Sequence, residues 1–354
     1  MRRAAALGVL LLGLRAACAQ VPEKENDWVR LTSERGTRWL QQDLALPADL
    51  AVDAETRAAA TDVAAKQIAR MRSRWEQWAR SQWQRVPASE RPFLPDRFRA
   101  FYVNEWAAMH VQSLGAEADH LMLAAWQRPA YCRVQLEEGW FANLLLAVAQ
   151  LPAPQRAVVW AAQDKAWNRL ARREELPTAQ APVIPIADDI GQLVKAMRSQ
   201  SPRTAPPMVP VLAWRRLVRG QETVSCPALQ WWLQQAVRRP GADERALSDE
   251  YRYVTRPLPA DPPNAKDQAT ANYPPAAADY GAEGKVKLQA RRSGGRMVDP
   301  VVVGRQITVP GLEGERPIAF ETLFDAAALQ RVRQVQQNEP DNDRVYFEFV
   351  WRLQ

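Results

Sequence analysis

The sequence predicts an α-helical, Trp-rich N-terminal domain followed by a small α+β C-terminal domain. Three observations predict this. Thirteen of the fourteen tryptophans precede residue 257, so the aromatic core belongs to the first part of the chain. Apolar residues in that part recur at three- and four-residue steps, the spacing of one helix face. From Tyr273 onward the apolar period is two, then helical, then two again. The division is residues 1–19 as a signal segment, 20–256 as the helical domain, 257–272 as a Pro-rich linker and 273–354 as the α+β unit.

Helical signals begin near Asp27. Val52 to Val86 places Ala64, Ile68, Met71, Trp75 and Trp78 on one stripe. The other face carries Lys66, Arg70 and Arg74 and reads as solvated, with Glu76 spaced to pair with Arg72 and Arg80. Pro87 to Pro95 reads as a loop, and Asp96 stands where an N-cap would. The next helix carries Phe98, Tyr102, Trp106 and Met109, and Gly115 breaks it before Leu121 to Trp126. Glu137 to Leu151 is apolar nearly all round. Pro152 opens a helix in which Val159, Ala162, Ala166 and Leu170 share a face. Shorter helices are expected over Asp188–Arg198, Val211–Arg219, Pro227–Arg239 and Asp243–Val254. No repeat period persists. The run PLPADPP from Pro257 starts the stiff linker.

In the last part, Lys285 to Arg292 puts Val286, Leu288 and Ala290 on one face of a strand. Ser293-Gly294-Gly295 supplies the hairpin turn. Met297 to Val303 is the return strand, and Pro300 makes it an edge or a bulged strand. Glu321 to Gln337 is a helix with the stripe Phe324, Ala328, Val332 and Val335. Arg344 to Leu353 is a last strand with Phe347, Phe349, Trp351 and Leu353 inward. One amphipathic helix covers such a sheet in two layers.

These residues resemble a known family. Tyr273-Pro274, Glu283-Gly284, Gly295-Arg296 and the Phe324-Asp325-Ala326-Ala327-Ala328-Leu329 helix before an aromatic strand are similar to the C-terminal domain of TonB. The resemblance covers the last quarter of the chain. It departs at Val303-Gly304-Arg305-Gln306, which is followed by an insertion through Phe320, and at Gln337-Asn338-Glu339-Pro340. It implies a ββαβ antiparallel sheet with one helix and a periplasmic protein-binding role towards outer-membrane receptors. It also implies recognition of an extended peptide by strand pairing. On the final strand Tyr346, Glu348, Val350 and Arg352 would then face the partner, with an edge covered by the insertion or the helical domain as the alternative.

The start of the chain reads as an export signal: Met1-Arg2-Arg3, an apolar run to Leu14, then Ala17-Cys18-Ala19, with cleavage before Gln20. An uncleaved anchor is the alternative. Cleavage lowers the net charge from +7 to +4. The last 82 residues carry equal numbers of basic and acidic side chains, so no nucleic-acid footprint is present. Cys132 and Cys226 remain, an even pair that points to one disulfide in an exported protein.

Catalytic signatures are missing. His110 and His120 are the two histidines, ten residues apart. No metal, nucleophile-elbow or phosphate-loop motif occurs, so no catalytic residue and no cofactor is expected. The acidic pairs Glu137-Glu138, Glu174-Glu175 and Asp188-Asp189 point to different helix sides. Two other classes stay open: an envelope enzyme with its site in the helical domain, and a structural assembly adaptor.

Overall fold

The computed structural model describes residues 24–45, 48, 53–127, 148, 151–172, 233–238, 240–255, 273–335 and 340–353. Cys132 and Cys226, the signal segment, the linker, the helices expected over 188–198 and 211–219, and most of 137–151 lie outside them. The described chain is mostly helical, with a three-stranded antiparallel sheet and one long helix near its C-terminus.

The helical part contains α1 (Glu25–Asp43), α2 (Ala54–Arg85), a 3-10 segment (Ala88–Phe93), α3 (Leu94–His110), α4 (Ala116–Trp126), α5 (Ala153–Ala171) and α6 (Glu244–Thr255). Asp53 starts α2. Its carboxylate accepts from the Thr56 N–H and from the Thr56 hydroxyl, each at 2.7 Å, which satisfies one orphan donor of the first turn. The predicted stripe is buried at Met71, Trp75 and Trp78 and partly buried at Ala64 and Ile68. Aromatic rings join the helices: Trp78 stacks on Phe101 at 4.8 Å, Trp39 on Phe98 at 5.7 Å, and Trp106 lies 5.3 Å from Trp167. Such pairs add to plain area burial.

Two expectations for this part are corrected. Asp96 is not an N-cap, because α3 begins at Leu94 and Asp96 sits in its first turn. Pro95 fits that turn, where no N–H is needed. The basic face of α2 is not wholly solvated. Lys66 is exposed beside Asp62, but Arg70 pairs with Asp164 of α5 at 2.5 Å and Arg74 is buried against Glu105 of α3. Other helices pack on part of that face, so Arg74 is internal and Arg70 half-buried. Arg72 pairs with Glu76 as expected, whereas Arg80 reaches Glu25 of α1 instead.

The C-terminal part runs α7 (Pro275–Asp279), β1 (Glu283–Ser293), β2 (Arg296–Thr308), α8 (Ile318–Gln334) and β3 (Asn342–Trp351). The strand order is β2-β1-β3, all antiparallel. Gly294 and Gly295 take φ of 57° and 73° at the hairpin, the positive values a two-residue turn demands. Beyond the turn β2 is bulged: Ala290 faces both Asp299 and Pro300 in the register, and Asp299 has φ 52°. A second irregularity inserts Val303 between Val302 and Gly304. The expected effect of Pro300 is thus present, while β2 extends five residues past Val303.

Val286, Leu288, Ala290 and Met297 bury one sheet face under α8, whose stripe of Phe324, Ala328 and Val332 is fully buried. Gly284 matters here, because a Cβ on it would stand 2.7 Å from the Phe324 ring. The first two turns of α8 are buried all round, since they lie between the sheet and α3. Asn104 of α3 joins them. Its amide nitrogen donates to the Arg316 carbonyl at 3.0 Å and its oxygen accepts from the Ala319 N–H at 3.2 Å. Pro317, at the N-cap position, offers no side-chain bond of its own.

The insertion spans residues 309–317, because β2 and α8 both reach further into it than the sequence suggested. It docks on the helical part. Trp78 donates its indole N–H to the Gly311 carbonyl at 2.9 Å. Arg97 pairs with Glu313 at 3.1 Å, and Arg74 with Glu315 at 3.4 Å. Arg99 pairs with Asp279 and lies 4.0 Å over the Tyr280 ring. The two parts therefore share one core and one polar seam.

Candidate functional site

Period two in Arg344–Leu353 makes β3, and antiparallel pairing to β1 fixes which side chains meet. Gln289 faces Tyr346, Lys287 faces Glu348 and Lys285 faces Val350 across the strands. On the same face Val301 of β2 lies opposite Gln289. Among the described residues no helix packs on this face. Tyr346 is 63% exposed and Val350 43%. Among the described residues the exposed large hydrophobics are Val301, Val303, Tyr346, Val350, Leu353 and, away from the sheet, Phe93. Exposed apolar surface is therefore concentrated on this small unit, the kind of patch that marks an interaction surface. Leu353 was expected to pack inward. It lies past the last residue of β3 and is exposed, so the inward set ends at Trp351.

Tyr346, Glu348, Val350 and Arg352 are all exposed, as the alternation requires. Glu348 is not an idle carboxylate. Lys285 reaches it at 3.1 Å and Lys287 at 3.5 Å. The hydrogen bond and the charge of Lys285, followed by the charge of Lys287, hold its carboxyl below the usual range. The two lysines thus balance its charge on the exposed face of the sheet. The strand is pinned at both ends. The Gly294 N–H donates to Asp341 at 2.8 Å and the Leu353 N–H to Glu283 at 3.0 Å.

The helix side of β3 is unfinished. α8 lies over β2 and β1, so Val345, Phe347 and Phe349 stay half-buried while Trp351 is buried. Phe347 and Phe349 stack at 6.2 Å, and the Arg331 guanidinium sits 5.0 Å over the Phe349 ring. The two sheet edges differ. β2 carries two bulges, Pro300 and a positive φ, devices that stop a further strand from pairing. β3 has one register shift, near its start, between Ala290 and Arg292 of β1. Hydrogen bonds from the insertion run to Arg74, Trp78 and Gln82 of α2 and to Arg97 of α3.

Sequence reasoning did not find Lys285, Lys287 or Arg331. Alternation alone puts both lysines on the face opposite Val286 and Leu288, but their bonds to Glu348 need the register. The acid–base candidates do not converge. His110 is buried, while Glu105 turns to Arg74. His120 is exposed on α4, 2.6 Å from Glu244. Among the described residues no group of three or more His, Cys, Asp or Glu side chains could hold a metal ion, and no helix is long and apolar enough to cross a membrane. Comparison with protein-family models, curated proteins and solved structures returns no match.

Proposed function

We propose that this chain is a non-catalytic protein-binding protein whose C-terminal unit takes up an extended segment of a partner as a further strand beside β3. The observation that carries the reading is the contrast between the two edges: β2 is blocked by bulges and proline, whereas β3 is regular along most of its length and half-covered on its apolar face. Backbone N–H and C=O groups along β3 would supply affinity, and alternate side chains would supply selectivity. The resemblance to TonB C-terminal domains supports the same mode. With the export signal read from the sequence, it supports a periplasmic location and an outer-membrane receptor segment as the partner.

A photoreactive residue placed at Tyr346 in intact cells tests this, with the same residue at Val303 as the control on the blocked edge. The expected result is a discrete crosslinked partner from position 346 alone, weakened by Arg352→Glu with the circular dichroism spectrum unchanged. Equal crosslinking from both positions, or capture that is indifferent to Arg352→Glu and to Val350→Pro, refutes the assignment.

A further inference from the structure

A groove of roughly 650 Å³ separates the start of α4 from one face of α5. We propose that it binds an anionic amphiphile, a carboxylate or phosphate head group on a short acyl chain. Lys165, Arg169 and Arg172 line it at successive steps of four and three, so all three project along one side of α5. Lys165 and Arg169 repel one another at that spacing, and an anion between them relieves the repulsion. Arg169 lies in the last turn of α5 and also complements that helix's own carbonyls. Lys165 stands a turn further in and gains little from them. Neither Lys165 nor Arg169 forms an ion pair with a described residue.

Part of the lining is apolar: Leu114, Val158 and Ala162, with Ala116, Ala118 and Ala161 beside them. Cations beside apolar side chains match a charged head with a hydrocarbon tail, and the volume lies within the ordinary range of small-molecule sites. Glu117 is the one acidic residue in the lining, so the balance is positive. Its carboxylate opposes the anion and gives the proposal a test in the opposite direction.

Titration calorimetry on the full chain, with sodium decanoate below its micelle concentration, tests the site. Acetate, inorganic phosphate and decanol are the comparison arms. Saturable decanoate binding is expected, with acetate, phosphate and decanol each weaker by at least about tenfold, since each lacks half of the recognition. Lys165→Glu should weaken decanoate by about tenfold or more, and Glu117→Gln should tighten it. A gain of affinity in Glu117→Gln cannot come from misfolding. The proposal is overturned if decanoate shows no saturable binding or if Lys165→Glu leaves it unchanged. It is also overturned if acetate or phosphate binds as tightly as decanoate, or if decanol does. Neither result bears on capture by β3, which lies on another part of the chain.

Discussion

Removing the Arg74 guanidinium should destabilise the whole described structure, not the helical part alone. Arg74 is 3% exposed, as is Glu105, and its Nη2 lies 2.7 Å from the Glu105 carboxylate and 3.4 Å from Glu315 in the insertion. Burial works against the charge on Arg74, but the hydrogen bonds and charges of Glu105 and Glu315 outweigh it and raise its pKa. Arg74→Ala leaves the Glu105 carboxylate buried without its cation. Breaking one partner of a buried pair costs about 3–5 kcal/mol, whereas replacing both partners by apolar residues of similar size is near neutral. Arg74→Met with Glu105→Leu should therefore recover most of the loss. Glu315→Ala removes a longer, partly exposed contact and should cost less than about 1 kcal/mol. Urea unfolding is the assay, followed by tryptophan fluorescence and by far-ultraviolet circular dichroism, whose coincidence licenses a free energy. A cost below about 1 kcal/mol for Arg74→Ala, or a double variant as unstable as the sum of the singles, would refute the argument.

Asn104→Ala should cost about 1–3 kcal/mol, because the Arg316 carbonyl and the Ala319 N–H both lose a partner; the urea midpoint reads it. Tyr273 donates its hydroxyl to the Ala282 carbonyl, and burial, with a smaller effect of Glu283, pushes its pKa up from 10.0 to about 12. The neutral phenol is favoured in the folded state, so its contribution is full below pH 10.0 and is lost as pH rises to about 12. Ultraviolet titration of Tyr273→Phe should lack the last-ionising phenol. Gly284→Ala should cost about 1–3 kcal/mol through overpacking on Phe324, read from the thermal midpoint. Cys132 and Cys226 are expected to be bonded. Thiol titration of the unfolded, unreduced protein should find none, and two thiols would exclude the bond.

Local patterns along the chain were sufficient for much of the fold. Steps of three and four specify α2, α3 and α5, because a helix face repeats with its turn whatever lies beyond it. Period two specifies β1 and β3, and Gly294-Gly295 specifies the hairpin, because only glycine takes two successive positive φ values cheaply. The same alternation placed Tyr346, Glu348, Val350 and Arg352 on an exposed face. Tertiary structure decided which elements meet. Arg74 and Lys66 lie on one predicted face of α2, yet only Arg74 lies against α3, so charge alone could not separate a buried pair from a solvated one. Glu348 became a cross-strand partner of Lys285 and Lys287 only once the register was set. The insertion became a seam because Trp78, Arg97 and Asn104 came to lie under it from residues more than two hundred positions away. β3 became an edge of the described sheet because strand order is a property of the whole sheet, and no stretch of sequence states its neighbours.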